Sequence, residues 1–460
     1  MNFGEHADTI CALSTANGMG AIAVIRVSGP QALEISSRIF SKNLTKQTTH
    51  TTHFGYVKAT DGKVIDEVLV TVLEKGKSFT GDATAEIACH GSVYIQQQIL
   101  QLLMEHGCRM ADPGEFTMRA YMNGKMDLAQ AEAIADLIAS RSAMAHSLAM
   151  KQMRGGFSRE LQQLREQLIQ FAALIELELD FGEEDVEFAD RTQLKNLVQD
   201  IIQVVGRLKE SFSTGNAIKN GVPVAIVGAP NVGKSTLLNV LLNEDRAIVS
   251  DIAGTTRDVI EDEIVLNGIS YRFIDTAGLR ETEDVVESMG IERSYQKARE
   301  AHIVLYLLDE RNTDEISTLN ELSQFQKDYL KDGQQLIVVV NKHDLLTEKF
   351  NFLSTYNPVF ISAKEKENVD TLLIRLREVI DLSGIGEEDV IVTNSRHVDA
   401  LQKAHTDLFN VLEGLTTGVS GDFVAMDIRQ AIYNLGTITG EIDVDRDILG
   451  AIFSKFCIGK

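Results

Sequence analysis

The chain has 460 residues, with 67 acidic and 44 basic side chains, a formal charge of −23, and 44% apolar and 24% charged residues. That balance excludes a disordered or collagen-like polymer and predicts two to four globular domains at roughly 100–200 residues each. No apolar run reaches the ~18 residues of a membrane span, and no basic segment with an apolar core opens the chain, so a cytoplasmic protein with no membrane partner is expected.

From the N-terminus, residues 1–123 read as mixed strand and helix. Ala21-Ile22-Ala23-Val24-Ile25-Arg26-Val27 is a β-prone run closed by Ser28-Gly29-Pro30. Residues 54–58 and 64–73 flank Asp61-Gly62, a hairpin signal, and residues 84–89 form another strand. Residues 124–219 change character. The stretch 129–150 is rich in Ala, Leu, Ile and Met without Gly or Pro, and reads as helical. Leu161, Leu164, Leu168, Phe171, Ile175 and Leu179 recur at spacings of three and four, marking one helical face, and a further helix is expected over about 191–212. The acidic Glu183, Glu184, Asp185 and Glu187 would repel anionic lipid, so these stripes read as bundle core.

Residues 220–382 alternate short apolar runs (224–227, 271–274, 303–308, 336–340 and 359–361) with helical segments, the pattern of a doubly wound parallel sheet. Helical character returns after 383, over about 396–415 and 423–437. The simplest architecture is a helical domain, 124–219 with 383–460, interrupted by an α/β domain at 220–382. Four cysteines, Cys11, Cys89, Cys108 and Cys457, contain no Cys-x-x-Cys pair, which argues against a disulfide scaffold or zinc site and fits a reducing compartment.

The inserted domain carries the most specific chemistry. Gly228-Ala229-Pro230-Asn231-Val232-Gly233-Lys234-Ser235 follows an expected strand and opens an apolar helical run at Thr236. This is the phosphate loop: glycines turn backbone N–H groups inward, the helix N-terminus adds its positive end, Lys234 contacts the β- and γ-phosphates, and Ser235 ligates Mg²⁺. Asp275-Thr276-Ala277-Gly278 ends another apolar run, where the carboxylate reaches Mg²⁺ through water and the Gly278 N–H senses the γ-phosphate. Asn341-Lys342-His343-Asp344 follows the run 336–340. Asp344 can accept from two guanine donors that adenine lacks, and Ser362-Ala363-Lys364 supplies an N–H for the guanine oxygen. Gly254-Thr255-Thr256-Arg257-Asp258 falls where a first switch loop belongs, with Thr256 as second Mg²⁺ ligand. These motifs in this order specify a GTPase. After Asp-Thr-Ala-Gly stands Leu279, which cannot orient a water as a glutamine does in Ras-like enzymes. Glu281, Glu283, Asp284 and Glu287 remain as candidates for that task.

Beyond these motifs, Pro113-Gly114-Glu115-Phe116-Thr117, Asn123-Gly124-Lys125-Met126-Asp127-Leu128, Gln130-Ala131-Glu132-Ala133 and Cys457-Ile458-Gly459-Lys460 are far more discriminating than a phosphate loop. With them the whole chain resembles the MnmE (TrmE) family of tRNA modification GTPases. The resemblance implies an N-terminal tetrahydrofolate-binding-like α+β domain that forms a homodimer, a helical domain, and an inserted Ras-like GTPase domain. It implies that the protein works with MnmG, an FAD-containing flavoprotein, in a heterotetramer or larger complex on tRNA. The reaction would modify C5 of the wobble uridine to aminomethyl or carboxymethylaminomethyl forms, with a one-carbon unit from 5-formyl- or 5,10-methylene-tetrahydrofolate.

Carried over by position, the resemblance implies K⁺ ligands at Asn231, Ser250, Ile252 and Thr255, and a water-orienting Glu287 acting beside Lys234 and Gly278. GTP would be held by Asn231 to Thr236 (Val232 and Gly233 included), Ser250, Thr255, Thr256, Asp275 to Gly278 (Thr276 and Ala277 included), Asn341, Lys342, Asp344, Ser362, Ala363 and Lys364. Folate would be held by Arg26, Glu86, Lys125 and Lys460, and Cys457 would be a functional thiol. The sequence departs from the family at Thr15-Ala16-Asn17-Gly18-Met19-Gly20, where a Pro-Pro-Gly-Arg-Gly-Gly-like loop is usual, and at Ser250, often Thr.

Two other readings compete. A ribosome-assembly GTPase switch would append an RNA-binding KH domain, and no Gly-x-x-Gly loop stands in such a context. A folate-dependent aminomethyl transferase with an unrelated inserted GTPase leaves the helical continuation on both sides unexplained. The acidity sits on the GTPase and helical parts, while residues 1–123 are nearly neutral. Such a chain would not grip tRNA tightly by itself, and the flavoprotein partner would supply much of the basic surface.

Overall fold

A computed structural model describes residues 8–180, 191–243, 262–274, 295–296, 298–309, 315–331, 333–345, 351–379, 390–441, 449, 452–453, 456–457 and 459. The chain divides into two compact units. One comprises Met1–Ile138, Met150–Val205 and Asp399–Lys460, and the other Ala139–Ala149 and Gly206–Val398.

The first unit is built on a six-stranded sheet. Its strands are β1 (Ile10–Leu13), β2 (Ile22–Ser28), β3 (Thr51–Lys58), β4 (Val64–Leu73), β5 (Thr84–His90) and β6 (Arg109–Met110), in spatial order β3-β4-β5-β2-β1-β6. All neighbours are antiparallel except β1 with β6. The Asp61-Gly62 turn joins β3 to β4 as expected, with Gly62 at φ +86° donating its N–H to the Ala59 carbonyl at 2.9 Å. Alternation along the strands sends Ile25, Val27, Val70, Val72 and Ile87 to one face. There they bury against Ile35, Ile39, Ile99 and Leu103 of the helices Ala32–Ile39 and Val93–Glu105. A smaller cluster forms from Ile10, Ala12, Ala111 and Phe116.

An ion cluster ties the start of this unit to the helix Glu115–Met122. Arg119 is fully buried and donates to the Asp8 carboxylate at 2.7 Å and to Glu115 at 2.9 Å, while Arg109 reaches Glu115 at 2.6 Å and Asp8 at 2.8 Å. Burial pushes the Glu115 carboxyl up, but hydrogen bonds from Arg109, the Asp112 N–H and Arg119 outweigh it and hold the group below its ordinary value.

In the helical part, the expected face of the long helix Gly156–Asp180 is observed as far as Ile175, with Phe171 half-buried and the side chain of Leu179 outside the described residues. Leu161, Leu164, Leu168 and Ile175 are buried, and the helix Gly421–Thr439, with Val424, Ile428 and Leu435 buried, packs along it. The stretch 129–150 is not one helix. It breaks into Leu128–Ala139 and Ala143–Met153, because the Ser142 hydroxyl accepts the Ala145 N–H at 3.2 Å and starts a new helix there.

The second unit carries the sheet β12-β11-β10-β7-β9-β8, made of β7 (Val222–Gly228), β8 (Asp262–Leu266), β9 (Ile269–Phe273), β10 (Ile303–Asp309), β11 (Gln335–Asn341) and β12 (Val359–Phe360). All pairs are parallel except β8 with β9. β10 is buried along its whole length because both faces are covered. Leu237, Leu241, Leu372 and Leu376, from the helices Lys234–Asn243 and Val369–Glu378, pack on one face. Leu322 and Phe325 of Glu315–Tyr329 pack on the other. The doubly wound sheet expected from the sequence is present, with β8 as an antiparallel edge that the apolar runs did not reveal.

Candidate functional site

The site of the second unit forms where strands end and loops begin. β7 stops at Gly228, φ +145°, where a Cβ would strike the Leu307 carbonyl. The chain then turns through Asn231, at φ +62°, and Gly233, at φ +99°, where a Cβ would run into the Asn341 amide. The helix Lys234–Asn243 begins at once, so the first N–H groups of that helix open toward the loop. Lys234 Nζ arches back over the loop and donates to the Gly228 carbonyl at 2.9 Å and the Ala229 carbonyl at 2.8 Å. Ser235 and Thr236 follow on the first turn.

Two further loops are bolted to this one. Asn341, 2% exposed, donates from Nδ2 to the Val232 carbonyl at 2.7 Å and accepts the Ala363 N–H at 3.0 Å. One amide therefore holds the phosphate loop, the Asn-Lys-His-Asp turn and the Ser-Ala-Lys turn together. Lys342, at φ +67°, donates to the Asn231 carbonyl at 2.8 Å and pairs with the Asp309 carboxylate. The His343 N–H bonds the Ile361 carbonyl at 3.0 Å, which leaves Asp344 exposed beside the buried Ser362 and Ala363. Ser362 pairs its backbone with Glu367 at 3.0 Å in both directions, closing a tight turn, and Lys364 is exposed. Ser250, Ile252, Thr255, Thr256, Asp275, Thr276, Ala277, Gly278, Leu279 and Glu287 lie outside the described residues.

The folate residues implied by resemblance lie in the first unit. Arg26 and Glu86 are directly opposed on β2 and β5 and form an ion pair at 2.9 Å. The Arg26 guanidinium sits 5.5 Å from the Phe79 ring centroid and 5.6 Å from that of Phe116. Only Nε and Nη2 of Arg26 bond Glu86, both through Oε1, so Nη1 and Glu86 Oε2 have no hydrogen-bond partner among the described residues. Lys125 donates to the Gly76 carbonyl at 3.0 Å, and its Cγ lies beside Gly81, at the two ends of the loop that carries Phe79. Cys457 is exposed, with its carbonyl accepting the Gly114 N–H at 3.4 Å, and Ser14 bonds the Gly459 carbonyl at 3.1 Å. Lys460 lies outside the described residues. Phe79 and Asp309 escaped the sequence analysis, and Phe116 entered it only within the Pro113–Thr117 motif, with no role of its own. Asp309 ends its strand directly opposite Asn341, a register that strand alignment would have exposed, whereas nothing marked Phe79.

A doubly wound sheet with a glycine loop between strand and helix, joined through one buried asparagine to the Asn-Lys-His-Asp and Ser-Ala-Lys turns, defines a phosphate-loop GTPase domain. Two family models match the chain: the GTP-binding protein TrmE N-terminus over residues 9–125, and the MnmE helical domain over residues 128–457. Curated proteins named tRNA modification GTPase MnmE are similar along nearly their whole length. That of Flavobacterium johnsoniae is 54% identical over 467 residues, covering 98% of this chain and 99% of its own. That of Cytophaga hutchinsonii is 52% identical over 460 residues, covering 99% and 98%. The crystal structure of Era from Aquifex aeolicus aligns at 28% identity over 40% of this chain and 66% of its own, with a TM-score of 0.26. The chain belongs to the MnmE family of tRNA modification GTPases.

Proposed function

We propose that the chain hydrolyses GTP, stimulated by K⁺, and acts as a homodimer with the MnmG flavoprotein. The complex modifies C5 of the wobble uridine of certain tRNAs with a tetrahydrofolate one-carbon unit. The observation that carries the GTPase half is the Asn341 amide, which sets the phosphate loop and both base-reading turns in one rigid arrangement. Lys234 binds the β- and γ-phosphates from above the loop, and the helix N-terminus faces them from below. Asp344 accepts from guanine, while the Ser362-Ala363-Lys364 turn supplies a backbone N–H to the guanine oxygen. Ser235, with Thr256, would hold Mg²⁺, whose chemistry is to neutralise charge on the β- and γ-oxygens. Asn231, with Ser250, Ile252 and Thr255, would hold K⁺, and Glu287 would orient the attacking water.

The folate half rests on the Arg26–Glu86 pair. A free guanidinium edge beside a free carboxylate oxygen offers donors and an acceptor side by side, which suits the amino and oxo groups of a pterin. Lys125 and Lys460 would meet the anionic end, with Cys457 as the thiol of the same region. Arg26→Ala is expected to weaken binding of 5-formyltetrahydrofolate at least tenfold, read by calorimetric titration, while GTP turnover stays near that of the parent. Unchanged folate affinity would refute this site. The whole reading is tested by nucleoside analysis of tRNA from cells lacking the protein: loss of the aminomethyl-type wobble uridines is expected, and normal wobble uridines would defeat it.

A further inference from the structure

We propose that Asp309 is a positioning residue for guanine-nucleotide binding, acting through Lys342 on the phosphate loop. The inference rests on the GTP-binding reading and names a group that reading does not contain. Asp309 is the last residue of β10 and stands in register with Asn341, the last residue of β11. Its side chain is 7% exposed, and a carboxylate so far from water needs a cationic partner. That partner is Lys342, whose side chain is 24% exposed and whose backbone is held left-handed at φ +67°. The same ammonium donates to the Asn231 carbonyl, one residue before the Val232 carbonyl that Asn341 holds. Two consecutive residues of the base-reading turn thus clamp two consecutive carbonyls of the phosphate loop, and Asp309 anchors the more flexible of the two clamps.

The energetic logic is one of restraint. A lysine has a long, rotamer-rich stem, and a single carbonyl acceptor near solvent does not hold it. A buried carboxylate does, because charge-assisted hydrogen bonds are roughly twice as strong as neutral ones. Removing that charge releases Lys342, and with it the turn at Asn231, itself at φ +62°. The nucleotide then meets a looser cradle and leaves faster, while the groups that act on the γ-phosphate remain those already present. Asp309 does not touch the nucleotide in this scheme; its effect passes through Lys342.

The test uses the full chain. Asp309→Asn keeps the shape and removes the charge, Asp309→Glu keeps the charge, and Asp309→Ser is a second neutral variant that guards against one variant failing to fold. Affinity and release of fluorescent GDP are measured by stopped-flow, and kcat and KM by phosphate release from GTP. Both neutral variants are expected to bind GDP about tenfold more weakly, chiefly through faster release, with KM raised alike and kcat within about twofold of the parent. Asp309→Glu is expected to recover most of the affinity. In a double-mutant cycle, Lys342→Met is expected to absorb the effect of Asp309→Asn, because the second residue acts through the first. Parent-like GDP affinity in both neutral variants would overturn the proposal, as would fully additive losses in the cycle, or a fall in kcat at unchanged affinity. A parent chain that binds no GDP would overturn the GTPase reading and this inference together; a parent that binds it normally isolates the fault to Asp309.

Discussion

Lys234→Ala is expected to lower GTP turnover by about 10²–10³-fold, the scale of losing one preorganised charge from the transferring phosphoryl group. Lys234 opens the helix behind the phosphate loop, and its Nζ is held over the loop by the Gly228 and Ala229 carbonyls. The side chain is therefore positioned by the backbone it serves, and little reorganisation is needed when phosphates arrive. The core beneath, Leu237, Leu238 and Leu241, does not involve the ammonium, so thermal unfolding should change little. Phosphate release under saturating GTP reads the effect. A variant within tenfold of the parent would show that the ammonium is not the principal charge on the reacting group.

The second large effect concerns stability. Arg119→Ala is expected to destabilise the first unit by about 2–5 kcal/mol, because it empties a fully buried site and strips Glu115 of one of its two guanidinium partners, Arg109 alone remaining. Arg119 is fully buried and Glu115 has 4% side-chain exposure, so water cannot replace the guanidinium at Glu115, whereas Asp8 is exposed enough to be solvated. One nitrogen, Nε, has no partner in the described structure, which makes the net gain from the pair smaller than the cost of breaking it. The effect is pH-dependent. The folded Glu115 carboxyl titrates below its ordinary value of 4.5, so its stabilising contribution is fully present above that value. It is lost as pH falls through the lower folded value. Asp8 behaves alike from 3.8: burial raises it, but bonds from Arg109 and Arg119 outweigh that and lower it. Urea unfolding at pH 7 and pH 3 checks both statements. The parent should lose stability toward pH 3 more steeply than Arg119→Ala, and equal slopes would contradict the assigned cause.

The sequence exposed the second unit more fully than the first, for a physical reason. The phosphate loop and the Asn-Lys-His-Asp and Ser-Ala-Lys turns are local devices, each set by a few adjacent residues whose backbone must bend one way. Runs such as 303–308 are apolar throughout because both faces are covered, and that is visible without a partner. By contrast, β1 is a four-residue strand that exists by pairing with β2 and β6, and β8 alternates only weakly at a sheet edge. The Asp8–Glu115–Arg119 cluster joins residues more than 100 positions apart, and no spacing rule predicts it. The break at Ser142 was hidden by the high helix propensity of its surroundings, which a single capping hydroxyl overrides. At the candidate folate site the strand positions of Arg26 and Glu86 were legible, but their mutual pairing and the rings of Phe79 and Phe116 depend on tertiary placement.

The pairing of Gly156–Asp180 with Gly421–Thr439 also dictates a schedule on the ribosome. The earlier helix emerges with its leucine face uncovered and waits for a partner translated some 240 residues later, roughly 10–50 s at ordinary rates of synthesis. Nearly all of the second unit is produced during that interval and can close its own sheet. The nascent chain therefore carries an exposed leucine stripe for most of its synthesis, and the window in which a chaperone would be needed is set by gene order rather than by stability.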